Sequence, residues 1–178
     1  MIRVLSVDVF NLQDDVVFNN PAVVLYAAGC KWKCKYCHSK NTWDFNQGYE
    51  LTSNDMIRLL KELQQYSNDI TLVGEGGDFY FQLENWFDFI RDVKTKCPFV
   101  KVVWSTGASL KTLKSIFSKL KPDYKQYFDA ILCERPFFKE NKVNRKTLYV
   151  PLNDTYKEVI ITPEGGMIDA KLVSQMEA

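Results

Sequence analysis

The sequence predicts an α/β protein built on a parallel sheet, and two observations lead to this prediction. Short apolar or β-branched segments, typical of buried strands, alternate with segments whose apolar residues recur at helical spacing. Strand and helix in alternation is the pattern of parallel strands joined by crossover helices. The 178 residues suffice for one domain with a sizeable core, and no repeat or linker interrupts the pattern.

Each element is expected from its local pattern. The predicted strands are residues 2–9, 22–28, 69–74, 100–105, 129–133 and 146–150, with another near 157–162. The predicted helices are residues 54–66, 84–95, 109–120 and 168–176. Thr52 or Ser53 is suited to cap the first helix, Ser109 to cap the third, and Pro122 to end it.

Composition narrows the class of protein. A net charge of +1 gives no case for nucleic-acid binding, and no apolar run is long enough to span a membrane. The N-terminal segment MIRVLSVDVF has the features of a strand and lacks those of a signal peptide, so five cysteines indicate a reducing cytoplasm and metal or redox use. A single histidine, His38, disfavours mechanisms that need two.

Two basic stretches are interpreted as solvated faces, with docking of an acidic partner protein as the alternative. They consist of Lys111, Lys114, Lys119, Lys121 and Lys125, and of Lys139, Lys142, Arg145 and Lys146.

The loops that follow predicted strands hold the chemistry-bearing residues. The run GCKWKCKYCH follows strand 22–28, GEGGDF follows strand 69–74, STGAS follows strand 100–105, and CERPFF follows strand 129–133. In parallel α/β sheets, functional sites gather at the carboxyl ends of the strands. These four loops are therefore expected to share one site.

Cys30, Cys34 and Cys37 form a CxxxCxxC run that three kinds of site could explain. A zinc ion would need a fourth ligand from His38, Cys97 or Cys133, and the chain has no second CxxC pair. A disulfide does not suit a reducing compartment. An iron–sulfur cluster suits closely spaced thiolates, and three ligands would leave one iron open to a substrate or cofactor. We interpret Cys97 and Cys133 as core thiols.

With Tyr36 before its third cysteine, the run resembles the radical S-adenosylmethionine (SAM) superfamily. Within it, the chain is similar to the activating enzymes of anaerobic ribonucleotide reductase, over roughly residues 10–150. The matching words are AAGCKWKCKYCHSKNTW, the turn Gly76-Gly77-Asp78-Phe79, the segment Trp104-Ser105-Thr106-Gly107, and Glu134-Arg135-Pro136-Phe137. The chain departs from the family where Phe79 replaces a proline and Glu134-Arg135 replaces Asp-Gly.

The resemblance implies a fold, two cofactors and a set of site residues. The fold would be a partial, open parallel β/α barrel in a single domain of residues 1–178, with a core of about 10–150 and a C-terminal extension of about 151–178. Cys30, Cys34 and Cys37 would hold a [4Fe–4S] cluster that cleaves SAM to a 5′-deoxyadenosyl radical. SAM would contact Tyr36, Gly76, Gly77, Asp78, Ser105, Thr106 and Glu134, and His38 could form a hydrogen bond near the cluster.

The resemblance also implies partners. The expected activity is installation of a glycyl radical on an anaerobic ribonucleotide reductase, with a flavodoxin-like or other reductant as electron donor. One alternative is a small-molecule radical SAM enzyme of the deazaguanine synthase kind. The other is a metal-binding module without catalysis, which the altered GEGGDF turn motivates.

Overall fold

Nine strands form one sheet in the described part of the chain. The computed structural model describes residues 1–35, 37, 40–138, 144–162 and 166–169. The strands are β1 (Ile2–Asn11), β2 (Ala22–Ala27), β3 (Tyr49–Leu51), β4 (Thr71–Gly76), β5 (Lys101–Ser105), β6 (Ala130–Phe138), β7 (Asn144–Val150), β8 (Thr155–Ile161) and β9 (Met167–Asp169). Their order across the sheet is β3-β1-β2-β4-β5-β6-β7-β8-β9.

The prediction of a parallel sheet is correct only for its centre. Strands β2, β4, β5 and β6 run parallel, whereas the pairs on either side are antiparallel. Residues 151–154 join β7 to β8, and so short a connection cannot carry the crossover that parallel neighbours require. The molecule is therefore a mixed α/β fold, and its sheet ends at β3 and β9 without closing.

Three helices lie between the central strands, as predicted. They are α1 (Ser53–Leu63), α2 (Leu83–Lys96) and α3 (Leu110–Ser115), and α3 continues as a π-helical turn (Ile116–Leu120) before Pro122. Short 3-10 turns occupy Lys40–Thr42, Phe79–Gln82, Pro122–Tyr127 and Pro151–Asn153. Within the described residues, no helix is both long and apolar enough to cross a membrane.

The predicted helix caps form. The hydroxyl of Thr52 accepts a hydrogen bond from the backbone N–H of Asp55, and that of Ser109 accepts one from Thr112. Each satisfies a backbone donor in the first helical turn. The predicted C-terminal helix, residues 168–176, does not start where expected, because residues 168–169 pair with β8 as part of β9. The rest of that prediction lies outside the described residues.

The helices cover one face of the sheet, which we call the helix face. Trp86 and Phe87 of α2 pack there against Trp104 of β5 and against Phe128, with ring centroids 5.0–6.3 Å apart. The opposite face, which we call the cavity face, has a smaller apolar cluster partly covered by Val16, Val17 and Phe18. Because this face is only partly filled, it leaves room for a site.

Candidate metal centre and cofactor cavity

A cavity of about 270 Å³ opens at the carboxyl ends of the central strands. Eight of the ten predicted site residues line it: Cys30, Cys34, Cys37, Gly76, Gly77, Asp78, Ser105 and Thr106. Glu134 is not among its lining residues, and Tyr36, like His38, lies outside the described residues. Three of the four loops expected to share one site therefore do so through these residues, and Pro136 brings the fourth loop to the same wall.

The loop that carries the cysteines, residues 30–40, is anchored at its base. Gly29 adopts a φ of +95°, and its N–H donates to the carbonyl of Thr42 at 2.7 Å. The N–H of Cys30 donates to the carbonyl of Trp43 at 3.3 Å. Thr42 and Trp43, which belong to the segment that resembles the family, thus hold the two ends of the loop together through these hydrogen bonds.

The donor set of this loop fits a cluster. Burial raises the pKa of the Cys30 thiol to about 11 and also raises that of Cys34, so both bind as thiolates only if a metal displaces their protons. Among the described residues, no three His, Cys, Asp or Glu side chains are grouped as ligands of a single ion. A cluster distributes its thiolates over several irons, and so it accepts ligands spaced more widely than one zinc ion does.

The glycine turn lies directly against the start of the cysteine loop. Gly76 has a φ of +93°, a conformation that favours glycine. A Cβ on Gly77 would lie 2.5 Å from the carbonyl oxygen of Gly29, which leaves no space for a side chain. Backbone hydrogen bonds from Gly77 to Ala27 and from Asp78 to Gly29, each 2.9 Å, fix the two loops together.

Asp78 joins three loops through one buried carboxylate. Its Oδ2 accepts hydrogen bonds from the indole Nε1 of Trp32 at 2.6 Å, from the hydroxyl of Thr106 at 2.8 Å and from the N–H of Gly107 at 2.8 Å. Its Oδ1 accepts from the N–H of Tyr80 at 2.9 Å. Burial raises the pKa of Asp78, and these donors oppose that shift. We call this arrangement the Asp78 clamp.

Lys146 corrects the interpretation of the second basic stretch as a solvated face. Its side chain is buried, and its Nζ donates to the hydroxyl of Ser105 at 3.1 Å and to the carbonyl of Thr106 at 3.3 Å. Burial lowers the pKa of Lys146, while Asp78, Cys133, Glu75 and Cys34 oppose the shift. The amine of Lys146 thus lines the cavity beside the predicted SAM residues.

Glu134 caps a helix. Its Oε1 accepts a hydrogen bond from the N–H of Leu110 at 2.7 Å, at the start of α3, and its own N–H donates to the carbonyl of Ala108 at 2.8 Å. Its φ of +73° is unusual for a residue with a side chain. The structure therefore places Glu134 beneath the turn that carries Thr106, and its predicted contact with SAM stays a prediction.

A second cavity, of about 430 Å³, adjoins the first on the cavity face. The two share Glu75, Ser105, Asn144 and Lys146. The carboxyl of Glu75 forms a hydrogen bond with that of Asp14, and burial together with Asp14 raises the pKa of Glu75 to about 9. Tyr26 donates to Asp14 at 3.1 Å. The sequence did not lead us to predict this acid pair. Glu75 within the buried strand β4 is the pattern that could have indicated it.

The two remaining cysteines are core residues, as predicted. Cys97 and Cys133 are fully buried and belong to the apolar cluster of the helix face. The Cys133 thiol lies 3.4 Å from the carbonyl oxygen of Thr147, and burial raises its pKa to about 12. A neutral thiol in that environment packs as a small apolar side chain.

Comparison with known proteins decides the family. Residues 21–154 match the model of the "4Fe-4S single cluster domain" family. The chain belongs to this family. This family is of the radical SAM type, which confirms the resemblance. The cofactors that membership of the family implies are a [4Fe–4S] cluster and SAM.

Three curated relatives align with parts of the chain. The anaerobic ribonucleoside-triphosphate reductase-activating protein of Enterobacteria phage T4 is 30% identical over 62% of this chain and 67% of its own length. The pyruvate formate-lyase 1-activating enzyme of Escherichia coli is 33% identical over 42% of this chain and 29% of its own. The 7-carboxy-7-deazaguanine synthase of Pyrobaculum aerophilum is 30% identical over 42% and 33%. The chain thus spans less than a third of the pyruvate formate-lyase activase that it matches.

Proposed function

We propose that this family member installs a glycyl radical on a partner enzyme, and that the partner is an anaerobic ribonucleotide reductase. The observation that carries the proposal is the convergence of the three cysteines, the glycine turn and the Ser105–Thr106 turn on one cavity. Two relatives that are named as activating proteins support this reaction over others. The phage relative supports the choice of target.

We assign the cluster to Cys30, Cys34 and Cys37. A [4Fe–4S] cluster held by these three thiolates would leave one iron open to SAM and, when bound and reduced, would supply the electron for the reductive cleavage of SAM. The protein holds the ligands in place through the Gly29 and Cys30 hydrogen bonds at the base of the loop. It also keeps the thiols partly shielded from water.

The polar groups of the cavity are proposed to orient SAM. Gly76 and Gly77 let the turn lie directly against the backbone of Tyr26, Ala27 and Gly29, where a Cβ would clash. Ser105 and Lys146 present a hydroxyl and an amine suited to a carboxylate or a ribose. The Thr106 hydroxyl already donates to Asp78, and its contact with SAM stays a prediction. The Asp78 clamp holds Thr106 and Gly107, the two residues that follow Ser105, in place. Contacts from Tyr36 and Glu134 remain predictions from the resemblance.

A protein substrate suits an open sheet. We propose that the parallel centre, β2-β4-β5-β6, is the partial barrel of the radical SAM type, and that the unclosed side admits a loop of the partner. We also propose that the chain is a single domain with a core of about 10–150 and an extension of about 151–178. We propose that it works in an anaerobic cytoplasm and receives electrons from a flavodoxin-like or other reductant.

Radical transfer to a protein is the direct test. The chain, reconstituted anaerobically with iron and sulfide, would be mixed with an anaerobic ribonucleotide reductase, SAM and a chemical reductant. The proposal expects an electron paramagnetic resonance (EPR) signal of a glycyl radical on the reductase, and none with Cys34→Ala. SAM cleavage without any radical on the reductase would contradict the assigned target.

A second candidate function is supported by one relative and one cavity. The deazaguanine synthase aligns with part of this chain, and the cavity of about 430 Å³ that adjoins the cysteine-lined cavity could hold a small molecule. SAM cleavage that depends strictly on an added small heterocyclic substrate would favour this function. An intact cluster that does not bind SAM would instead favour the non-catalytic metal-binding module.

A further inference from the structure

The second cavity on the cavity face has a polar layer and an apolar layer. The polar layer is shared with the cysteine-lined cavity and consists of Glu75, Ser105, Asn144 and Lys146. The apolar layer lines the second cavity alone and consists of Val16, Val73, Val103, Leu132 and Ile161. On β4 and β5 the layers follow from strand alternation, because Glu75 and Ser105 come two residues after Val73 and Val103 and share their face.

One acceptor in the polar layer has no donor. The side-chain Oδ1 of Asn144 is buried and forms no hydrogen bond within the described part of the chain. The other described side chains with such an atom line neither cavity: Trp43, Trp86, Trp104 and Arg145. A buried acceptor without a donor is unfavourable, and its position in a cavity wall indicates a ligand that supplies the donor.

The neighbouring donors of the polar layer are engaged elsewhere. The amine of Lys146 donates to the hydroxyl of Ser105 at 3.1 Å and to the carbonyl of Thr106 at 3.3 Å. The carboxyl of Glu75 forms its hydrogen bond with Asp14. None of these contacts reaches the Oδ1 of Asn144. A ligand that brings an N–H group therefore fits this layer better than a ligand that brings only acceptors.

We propose that Asn144 accepts a backbone N–H of an extended peptide segment of the protein substrate, and that an adjacent side chain of this segment packs on the apolar layer; this rests on the proposed function. A peptide carries an N–H and a side chain at each residue, and so it matches a wall in which an acceptor adjoins an apolar surface. Because the two cavities adjoin, a segment held here presents its next residue to the cysteine-lined cavity. Asn144 is then a positioning residue, and the apolar layer selects an uncharged neighbour of the reacting glycine, since a charge would lose its hydration there.

Backbone methylation of a peptide tests the hydrogen bond to Asn144. Synthetic nine-residue peptides would copy an anaerobic ribonucleotide reductase around its radical glycine, each methylated at one backbone nitrogen, either of the glycine or of a residue next to it. At one of these positions we expect methylation to weaken binding to the reconstituted chain about tenfold, because it removes the donor. The same methylation should change the affinity of Asn144→Leu less than about twofold, since this variant has no acceptor to lose. Asn54→Leu, at an exposed residue of α1, should respond as wild type does.

A change of side-chain size tests the apolar layer. In the same peptides, each neighbour of the glycine would in turn be Ala, Leu or Glu. At one of the two neighbours we expect wild type to bind the Leu peptide about tenfold more tightly than the Ala or Glu peptide. Val103→Phe fills part of the apolar layer and should bind the Ala peptide more tightly than the Leu peptide. Val9→Phe, at an exposed residue of β1, should keep the preference for Leu.

Three results would overturn the inference: equal responses of wild type and Asn144→Leu to every methylated peptide, no binding of any peptide by wild type, or a folded Val103→Phe that still prefers Leu. Thermal unfolding reports whether Val103→Phe is folded, and if it is not, the Asn144 comparison decides. The proposed function is judged by the glycyl radical on the whole reductase. A radical on the reductase without the Asn144 pattern refutes the inference alone, whereas a missing radical refutes the function.

Discussion

The two faces of the central strands are built by different forces. On β5, Trp104 points to the helix face and Ser105 to the cavity face, and on β4 the same alternation separates Leu72 from Glu75. Apolar burial fills the first face. Hydrogen bonds between loops organise the second.

The indole N–H groups on the two sides differ in whether they have a hydrogen-bond partner. On the helix face, the Nε1 atoms of Trp86 and Trp104 are buried without a hydrogen-bond partner in the described part of the chain. On the cavity side, Nε1 of Trp32 donates to Asp78 at 2.6 Å. On the helix face, the free energy gained by burying the rings outweighs the cost of an unpaired N–H donor. At the cavity, a single N–H donor positions a loop. One sheet thus combines an apolar core on one face with loops at its carboxyl edge that are held by hydrogen bonds.

Cysteines provide the largest expected contrast between the faces. Cys34→Ala should reduce iron from about four per chain to near zero after reconstitution, because the loop then offers two thiolates. Cys133→Ala, on the helix face, should keep its iron and lose about 1 kcal/mol of stability, since it removes a small buried side chain. Iron and sulfide analysis checks both. Retention of the full cluster in Cys34→Ala would break the comparison.

Phe87→Ala tests the packing of the helix face. Phe87 is fully buried and stacks on Phe117 with ring centroids 5.5 Å apart, so the variant should lose about 3–5 kcal/mol of unfolding free energy. Tyr66→Ala, at a side chain that is 79% exposed, should change stability by less than about 0.5 kcal/mol. Urea unfolding measures both, and equal effects would show that this face is not the main source of stability.

The Asp78 clamp should produce an intermediate effect that appears mainly in cofactor binding. Asp78→Asn replaces one of the two carboxylate oxygens by an NH₂ group, which cannot accept a hydrogen bond. The variant should lower the free energy of unfolding by about 2–3 kcal/mol. Trp32→Phe removes only one hydrogen-bond donor and should lower the free energy of unfolding by about 1 kcal/mol.

Binding of SAM to the reconstituted chain distinguishes this clamp from a purely structural contact. We expect the Kd for SAM to rise about tenfold in Trp32→Phe, which corresponds to about 1.4 kcal/mol. Phe87→Ala, under conditions where it stays folded, should bind SAM as wild type does. Loss of stability in Trp32→Phe with no change in SAM affinity would remove the clamp from the site.

The acid pair on the cavity face predicts that the stability of the protein depends on pH. The pKa of Glu75 is about 9 in the folded protein, above the value of about 4.3 in an unfolded chain. The folded state therefore holds an extra proton between these values, and stability falls as pH rises from about 5 to 9, by about 1 kcal/mol per pH unit. Glu75→Gln should flatten this slope.

The control for that prediction is Glu62→Gln, at an exposed residue of α1, which should keep the slope of wild type. Urea unfolding at a series of pH values gives the comparison. An unchanged slope in Glu75→Gln would mean that Glu75 and Asp14 do not share a proton.

Local patterns in the sequence predicted much of the fold, and long-range pairing explains what they missed. The Thr52 and Ser109 caps and the central strands depend on neighbouring residues, and they formed as expected. The antiparallel outer strands and the short β3 depend on which distant segments pair, and β3 forms only against β1.

The candidate site divides in the same way. Spacing alone predicted Cys30, Cys34 and Cys37 as cluster ligands, because a CxxxCxxC run limits its own geometry, and the structure brings all three to one cavity. Lys146 was assigned to a solvated stretch because its neighbours are basic, yet the fold turns it inward beside Ser105. Glu75 escaped notice because its significance comes from Asp14, which lies on a distant loop.

The most direct test of this account is EPR of the reconstituted, reduced chain with and without SAM. The account predicts about four irons per chain and a cluster spectrum that SAM changes, because three cysteines would leave one iron of the cluster without a protein ligand. Zinc in place of iron, or a cluster spectrum that SAM leaves unchanged, would contradict the claim that the cavity face is a site of radical chemistry.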